Sequence, residues 1–173
     1  MKLETDLARI QRIAKQKDDE NWRFRSFLKG YDGPAGEIDH IIHNLYRKVS
    51  SEIDCRKCAN CCKSIQSALN QKDIQAFTSG LRLPVDEFNA RYLVPGENPG
   101  EWRFNKLPCP FLVENLCTNY EHRPQDCRSY PHLHKRDFNA RLWNVVENCS
   151  ICPIVFNVYE HLKEELRYGN RLS

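Results

Sequence analysis

The sequence predicts a compact, cysteine-rich α+β domain that is mostly α-helical with a small β-hairpin. Hydrophobic residues recur at intervals of three and four in several stretches of the 173-residue chain. Two extended segments surround a turn, and nine cysteines lie in the middle of the chain. The length fits one domain over residues 1–173. We expect N-terminal helices over 1–54, a cysteine-cluster module over 55–152 and a C-terminal helix over 153–173.

The N-terminal third predicts two helices joined by a loop. Residues 3–17 carry an amphipathic pattern, and a short aromatic segment follows at 22–28. Three glycines and a proline at 30–36 indicate a loop. Hydrophobic residues then recur along one face from 38 to 53, so this helix leads directly into Cys55.

The remaining elements are shorter. Residues 70–79 and 84–94 predict two helices, the first closed by Gly80 and the second opened by Pro84 as its first helical residue. The final helix begins near Pro153, because proline is favoured in a first helical turn.

A small hairpin is predicted between these helices. Residues 101–107 and 111–120 have strand-like composition, and Glu114-Asn115 forms a turn within the second segment. Prolines on both sides of Cys109 favour extended backbone there.

Composition excludes several classes of protein. The formal net charge is +3 with both signs interspersed, so no basic stripe predicts nucleic-acid binding. No apolar run approaches the roughly 20 residues that span a bilayer. The charged N-terminal segment is unlike a secretory signal, so we expect a cytoplasmic protein that acts neither at a membrane nor on nucleic acid. Thiols stay reduced in the cytosol, and the nine cysteines therefore indicate metal binding.

The cysteine spacing carries the functional signal. A C-x2-C step lets two sulfurs face one metal at about 2.3 Å. Neighbouring side chains diverge, so adjacent Cys61 and Cys62 leave open a second centre or a multi-iron cluster. The nine candidate metal ligands are Cys55, Cys58, Cys61, Cys62, Cys109, Cys117, Cys127, Cys149 and Cys152.

Both zinc and iron–sulfur clusters accept all-thiolate ligation. Nine thiols exceed the four that one zinc site needs, which favours an iron–sulfur cluster such as 4Fe-4S, with zinc as the alternative. Ferredoxin spacing would place a fourth cysteine where this chain has Ile65. The C-x3-C-x2-C spacing of radical S-adenosylmethionine enzymes is also absent.

Other polar residues lie close to these cysteines in the sequence. Arg123 and Arg128 flank Cys127 and could donate hydrogen bonds to sulfur from outside the ligand set. His40 and His43 are three residues apart on the strongest helix and are expected at its surface. A histidine pair after Tyr130-Pro131 is expected in a loop, with metal capping or acid–base work as the alternative; the pair is His132 and His134.

The segments CRKCANCC and PCPFLVENLCTNYEHRPQDCRSYP, followed by a closing cysteine pair, resemble the YkgJ-like cysteine-cluster family, also called CxxCxxCC, whose members are described as zinc- or iron-chelating. The resemblance covers about residues 55–152. It implies a metal centre bound by the first eight cysteines, with Cys152 as a ninth ligand or a spare thiol.

The same cysteine pattern is similar to a module of the longer flagellin lysine N-methylases. That similarity implies a modification reaction on a protein or peptide partner. The seven glycines form no G-x-G loop, so a Rossmann-type methyltransferase is disfavoured, and no catalytic residue is identified. We therefore expect a cysteine-ligated metal-cluster protein in a redox or protein-modification role. The alternative is a zinc-binding structural or interaction module without catalysis.

Overall fold

The computed structural model describes residues 2–171 and divides the chain into two compact units. Met1–Asp54 and Pro131–Ser173 form one of them, which we call the terminal unit. Cys55–Tyr130 forms the other, the cysteine unit. Helices dominate both units and the strands are short, which confirms the predicted mostly α fold class with a small β component.

Within the described residues the α-helices are α1 (Leu7–Gln16), α2 (Asp18–Lys29), α3 (Glu37–Glu52), α4 (Cys55–Cys58), α5 (Asn60–Ser64), α6 (Gln71–Leu81), α7 (Val85–Tyr92), α8 (Gln125–Ser129), α9 (Leu142–Asn148) and α10 (Pro153–Glu165). The strands are β1 (Ala68–Leu69), β2 (Leu93–Pro95), β3 (Trp102–Phe104), β4 (Leu112–Val113) and β5 (Leu116–Cys117). Short 3-10 turns cover Tyr120–His122, Phe138–Arg141 and Tyr168–Arg171. No helix in this part of the chain is both long and apolar enough to span a bilayer.

The terminal unit is a helical assembly in which α10 packs against α3. The apolar face of α3 is buried, as its spacing predicts, and α10 is buried on nearly every side. The Lys163 ammonium is buried and donates to Glu20, Asn21 and Glu160 at 2.6 to 2.8 Å. These acceptors offset the cost of removing the charge from water.

The cysteine unit has its own hydrophobic core beneath a small sheet. Strands β1, β3 and β2 form an antiparallel sheet in that order, with Leu69 opposite Trp102 and Leu93 opposite Phe104. The sheet, α6 and α7 together bury an apolar cluster of Leu69, Ile74, Phe77, Phe88, Leu93, Phe104 and Phe111. This cluster stabilises the unit by removing apolar surface from water.

The predicted hairpin is present as β4 and β5. Leu112 lies opposite Cys117 and Val113 lies opposite Leu116. The two turn residues, Glu114 and Asn115, have φ values of 49° and 65°. Positive φ at both positions is typical of a type I′ turn, whose twist matches that of the paired strands.

Element boundaries differ from the sequence prediction where tertiary contacts decide them. The aromatic segment at 22–28 lies within α2, which starts immediately after α1. Gly80 lies inside α6, and the helix ends when Arg82 adopts the left-handed conformation. Pro84 precedes the first helical residue of α7 instead of being that residue. Residues 101–107 supply β3, which pairs with β1 and β2 and not with the hairpin.

The C-terminal helix begins at Pro153, as predicted. It ends at Glu165, and a 3-10 turn follows at Tyr168–Arg171. Leu172 and Ser173, which the prediction assigned to this helix, lie outside the described residues.

Candidate metal centre

Seven of the nine predicted ligands lie in the cysteine unit, and the first four lie on two very short helices. Cys55 and Cys58 are the end residues of α4, whereas Cys61 and Cys62 lie inside α5. Between the helices Ala59 is buried with φ of 49°, a left-handed conformation that is unfavourable for alanine. The Ala59 N–H donates to the Cys55 carbonyl at 3.0 Å. This turn redirects the chain, so the four cysteines do not follow one continuous helix.

A backbone hydrogen bond joins this segment to the next cysteine. The Cys109 N–H donates to the Cys62 carbonyl at 2.8 Å across 46 intervening residues. The Cys109 carbonyl in turn accepts the Leu112 N–H at 3.0 Å at the start of the hairpin. Two of the predicted ligands are thus held side by side through the main chain.

The hairpin adds Cys117. This residue pairs with Leu112, and the following Thr118 donates its N–H to the Phe111 carbonyl at 2.9 Å. Phe111 belongs to the apolar cluster, so the base of the hairpin is fixed to the hydrophobic core. Cys117 therefore returns to the same end of the hairpin as Cys109.

Cys127 comes from α8 and makes a direct side-chain contact. Its Sγ–H donates to Ser67 Oγ at 3.0 Å. The preceding Asp126 accepts the Ala68 N–H at 3.1 Å, which ties α8 to β1. Asp73 accepts the Gln125 N–H at 2.8 Å and so satisfies an amide at the start of α8. Four segments that are separated in the sequence therefore contribute thiols to the same region of the cysteine unit: α4 and α5, the residues around Cys109, the hairpin, and α8.

Burial and neighbouring groups shift the pKa values of these thiols. A hydrogen bond from Cys61, aided by the charges of Arg123 and Lys63, lowers the pKa of Cys62 to about 7 despite burial. Burial raises the pKa of Cys109 to about 11 and that of Cys127 to about 12, and the charge of Cys62 acts in the same direction. Burial also raises the pKa of Cys117. A bound metal ion would supply positive charge that favours the ionised form of all four thiols.

This arrangement provides soft sulfur ligands that suit zinc, copper(I) and iron–sulfur clusters. Four of these thiols are partly buried, so a metal bound by them would be shielded from bulk water on one side; they are Cys62, Cys109, Cys117 and Cys127. Over residues 2–171, no three His, Cys, Asp or Glu side chains are close enough to hold a single ion as placed here. The thiols therefore have the chemistry of metal ligands, but they do not form a closed coordination site.

Cys149 and Cys152 lie in the terminal unit, at the junction of α9 and α10. Cys149 is 2% exposed, and its thiol donates to the Val145 carbonyl at 3.3 Å. Burial raises the pKa of Cys149, and the charged groups that affect it, Lys163 and Glu160, belong to the same unit. Both side chains are buried, and their role as metal ligands stays a prediction.

Arg123 is held beside the thiols. Its guanidinium carbon is 3.4 Å from the centroid of the Tyr120 ring, and its Nε donates to the Tyr120 carbonyl at 2.8 Å. Its charge helps to lower the pKa of Cys62 and partly offsets the burial that raises the pKa of Cys117. Arg128, the other predicted neighbour of the ligands, has an exposed side chain.

The four candidate histidines all belong to the terminal unit. His40 contacts the Asn44 amide at 3.0 Å, and His43 lies 3.3 Å from the Lys135 carbonyl. His132 has φ of 63° in the loop after Tyr130. Partial burial and neighbouring cationic groups lower the pKa of His134.

Sequence reasoning missed three polar residues that position the cysteines: Ser67, Asp73 and Asn119. Asn119 is buried and donates to the Phe77 carbonyl at 2.8 Å. A Cβ at Gly80 would lie 2.3 Å from the Asn119 side chain, so this close approach requires glycine.

Replacing Asp73 with alanine should destabilise the cysteine unit. Asp73 is buried and accepts N–H groups from Asn70 at 3.1 Å and Gln125 at 2.8 Å. Losing a helix cap and leaving a partly buried amide unpaired should lower the free energy of unfolding by about 2 to 4 kcal/mol. Urea denaturation measures this change. The exposed Asp86→Ala variant in α7 should lose no more than about 1 kcal/mol. Equal losses in the two variants would contradict the positioning role of Asp73.

The chain matches the model of a known family. A family model named CxxCxxCC, described as a "Putative zinc- or iron-chelating domain", matches residues 54–153, which is more than half of the chain. The match starts just before α4 and includes all nine cysteines. No curated protein and no solved structure matches the chain.

Proposed function

Because the chain belongs to the CxxCxxCC family of zinc- or iron-chelating domains, we propose that its cysteine unit holds an iron–sulfur cluster used in a redox or protein-modification reaction. The proposed ligands come from the seven cysteines of this unit, with Cys62, Cys109, Cys117 and Cys127 at the centre of the set.

The observation that carries this proposal is the number of thiols in one unit. A closed zinc site uses four protein ligands, whereas residues 55–130 contain seven cysteines. An all-thiolate donor set of this size supports a cluster more than a single ion.

The chain's own residues would do three things for such a cluster. The cysteines would bind it, and the backbone bond between Cys62 and Cys109 would fix the spacing of two ligands. Arg123, held against Tyr120, would offset part of the negative charge of the thiolates. When bound, the cluster would supply one-electron transfer, and the partner would be a protein or peptide.

Metal and sulfide analysis of protein purified without oxygen tests the proposal. We expect iron with a matching amount of acid-labile sulfide and a visible absorption band. Stoichiometric zinc in a colourless sample would overturn the iron–sulfur proposal and favour a structural or interaction module, because zinc has a filled d shell and no redox chemistry.

The ligand assignment predicts different outcomes for two cysteine variants. Cys62→Ser removes a thiol that is hydrogen-bonded to Cys61 and keeps the backbone bond to Cys109, so we expect metal content to fall to less than half. Cys149→Ala changes a cysteine packed in the terminal unit and should leave metal content unchanged. Elemental analysis after identical purification gives both values. Full metal content in the first variant, or loss in the second, would contradict the assignment.

A further inference from the structure

Ser67 stands out among the residues around the proposed ligands because its hydroxyl contacts a cysteine directly. Its Oγ lies 3.0 Å from Cys127 Sγ, although the two residues are 60 positions apart. Ser67 lies between the end of α5 and the start of β1, in a segment that contains no cysteine. It belongs to no cysteine motif of the sequence.

The position of this hydroxyl is fixed on both sides. The preceding Gln66 donates its side-chain amide to the Phe104 carbonyl at 2.8 Å. The following Ala68 donates its N–H to Asp126, the residue next to Cys127, at 3.1 Å. Ala68 also pairs with Arg103 in the sheet. These bonds hold Ser67 against α8 independently of its own side chain.

We propose that Ser67 is a positioning residue for the metal centre, which donates its hydroxyl hydrogen to the Cys127 sulfur when that sulfur binds metal. The inference rests on the proposed function, since it takes Cys127 as a ligand. As a protonated thiol, Cys127 donates its S–H to Ser67 Oγ. Metal binding replaces the S–H bond with an S–metal bond and releases the proton to solvent. Ser67 then becomes the donor, because its O–H carries the hydrogen that remains between the two atoms.

A hydrogen bond of this kind orients the ligand and stabilises its negative charge. Replacing such an outer partner typically reduces metal affinity by about 10-fold to 100-fold. Most affinity differences among variants of one site appear in the dissociation rate. We therefore expect Ser67→Ala to release its metal about 10-fold to 100-fold faster than the parent protein.

The test measures metal release from the purified holoprotein into excess EDTA, by elemental analysis after gel filtration. Ser67→Thr keeps a hydroxyl and should release metal at close to the parent rate. Ser64→Ala removes an exposed serine at the end of α5 and should also match the parent. Far-ultraviolet circular dichroism before EDTA addition checks that the variants are folded alike.

Two results overturn the inference in distinguishable ways. If the parent protein holds metal and Ser67→Ala releases it at the parent rate, Ser67 does not position the centre and the proposed function stands. If the parent protein contains no metal after anaerobic purification, the proposed function fails and the role of Ser67 fails with it. Fast release from Ser67→Ala that Ser67→Thr does not rescue would also overturn the inference, because the effect would not depend on the hydroxyl.

Discussion

Chelation of the metal is expected to expose the cysteine-bearing segments to hydrogen exchange while the larger helices stay protected. Helices α4 and α5 contain four and five residues, and β4 and β5 contain two each. Isolated helices and hairpins this short are unstable in water. Bound metal would therefore supply much of the free energy that keeps these segments folded.

The rest of the chain has other sources of stability. The apolar cluster beneath β1, β2 and β3 remains after metal removal, as does the packing of α10 on α3. Amide exchange with and without EDTA, resolved by peptide mass spectrometry, should show new exchange at 55–64 and 109–128. Peptides from α3, α6 and α10 should change little. Unchanged exchange in the cysteine segments would mean that metal does not stabilise them.

Phe111→Ala should produce the largest loss of stability in the cysteine unit. The ring is 7% exposed and its centroid lies 4.8 Å from that of Phe77, 4.9 Å from Tyr92 and 5.5 Å from Phe104. Truncating a buried phenylalanine costs about 3 to 5 kcal/mol, because the transfer energy is lost and a cavity remains. The Phe111 carbonyl also accepts both donors of Thr118, so the base of the hairpin should loosen and metal release should accelerate.

Val113→Ala provides a matched control on the same hairpin. Val113 is 56% exposed and packs outside the apolar cluster, so this substitution should change the free energy of unfolding by about 0.5 kcal/mol or less. Urea denaturation of the holoproteins compares the two variants. Similar losses in both, or a loss below about 1 kcal/mol for Phe111→Ala, would show that the aromatic cluster does not anchor the hairpin.

The longest elements were predictable because one physical signal dominates each of them. The apolar spacing from 38 to 53 predicted a helix that the structure gives as Glu37–Glu52, and Pro153 correctly predicted the start of α10. The turn at Glu114-Asn115 predicted the hairpin, since asparagine tolerates positive φ.

Short elements could not be predicted in the same way. Helix α8 has five residues, and its first amide depends on Asp73, which is 52 residues away in the sequence. Strand β1 has two residues and exists through pairing with β3. Periodicity over two to five residues carries too little information, and tertiary contacts determine these conformations.

Contacts between residues distant in the sequence also limited the prediction of the candidate site. The cysteine spacing predicted nine candidate metal ligands, and the position of Arg123 near Cys127 predicted that its side chain lies close to the thiols. Spacing did not show that Cys149 and Cys152 pack within the terminal unit, because that depends on how α9 and α10 fold. Nor could it identify Ser67 or Asn119, whose roles arise from contacts across 60 and 42 residues.

X-ray absorption at the iron edge of anaerobically purified protein tests the central claim most directly. The spectrum reports the atoms that surround the metal and the metal–metal distances between iron atoms. We expect a shell of sulfur atoms together with neighbouring iron, as in a cluster bound by the thiols of the cysteine unit. A spectrum without iron neighbours, or a shell dominated by nitrogen and oxygen, would contradict the claim, as would a protein that contains zinc with four sulfurs at about 2.3 Å.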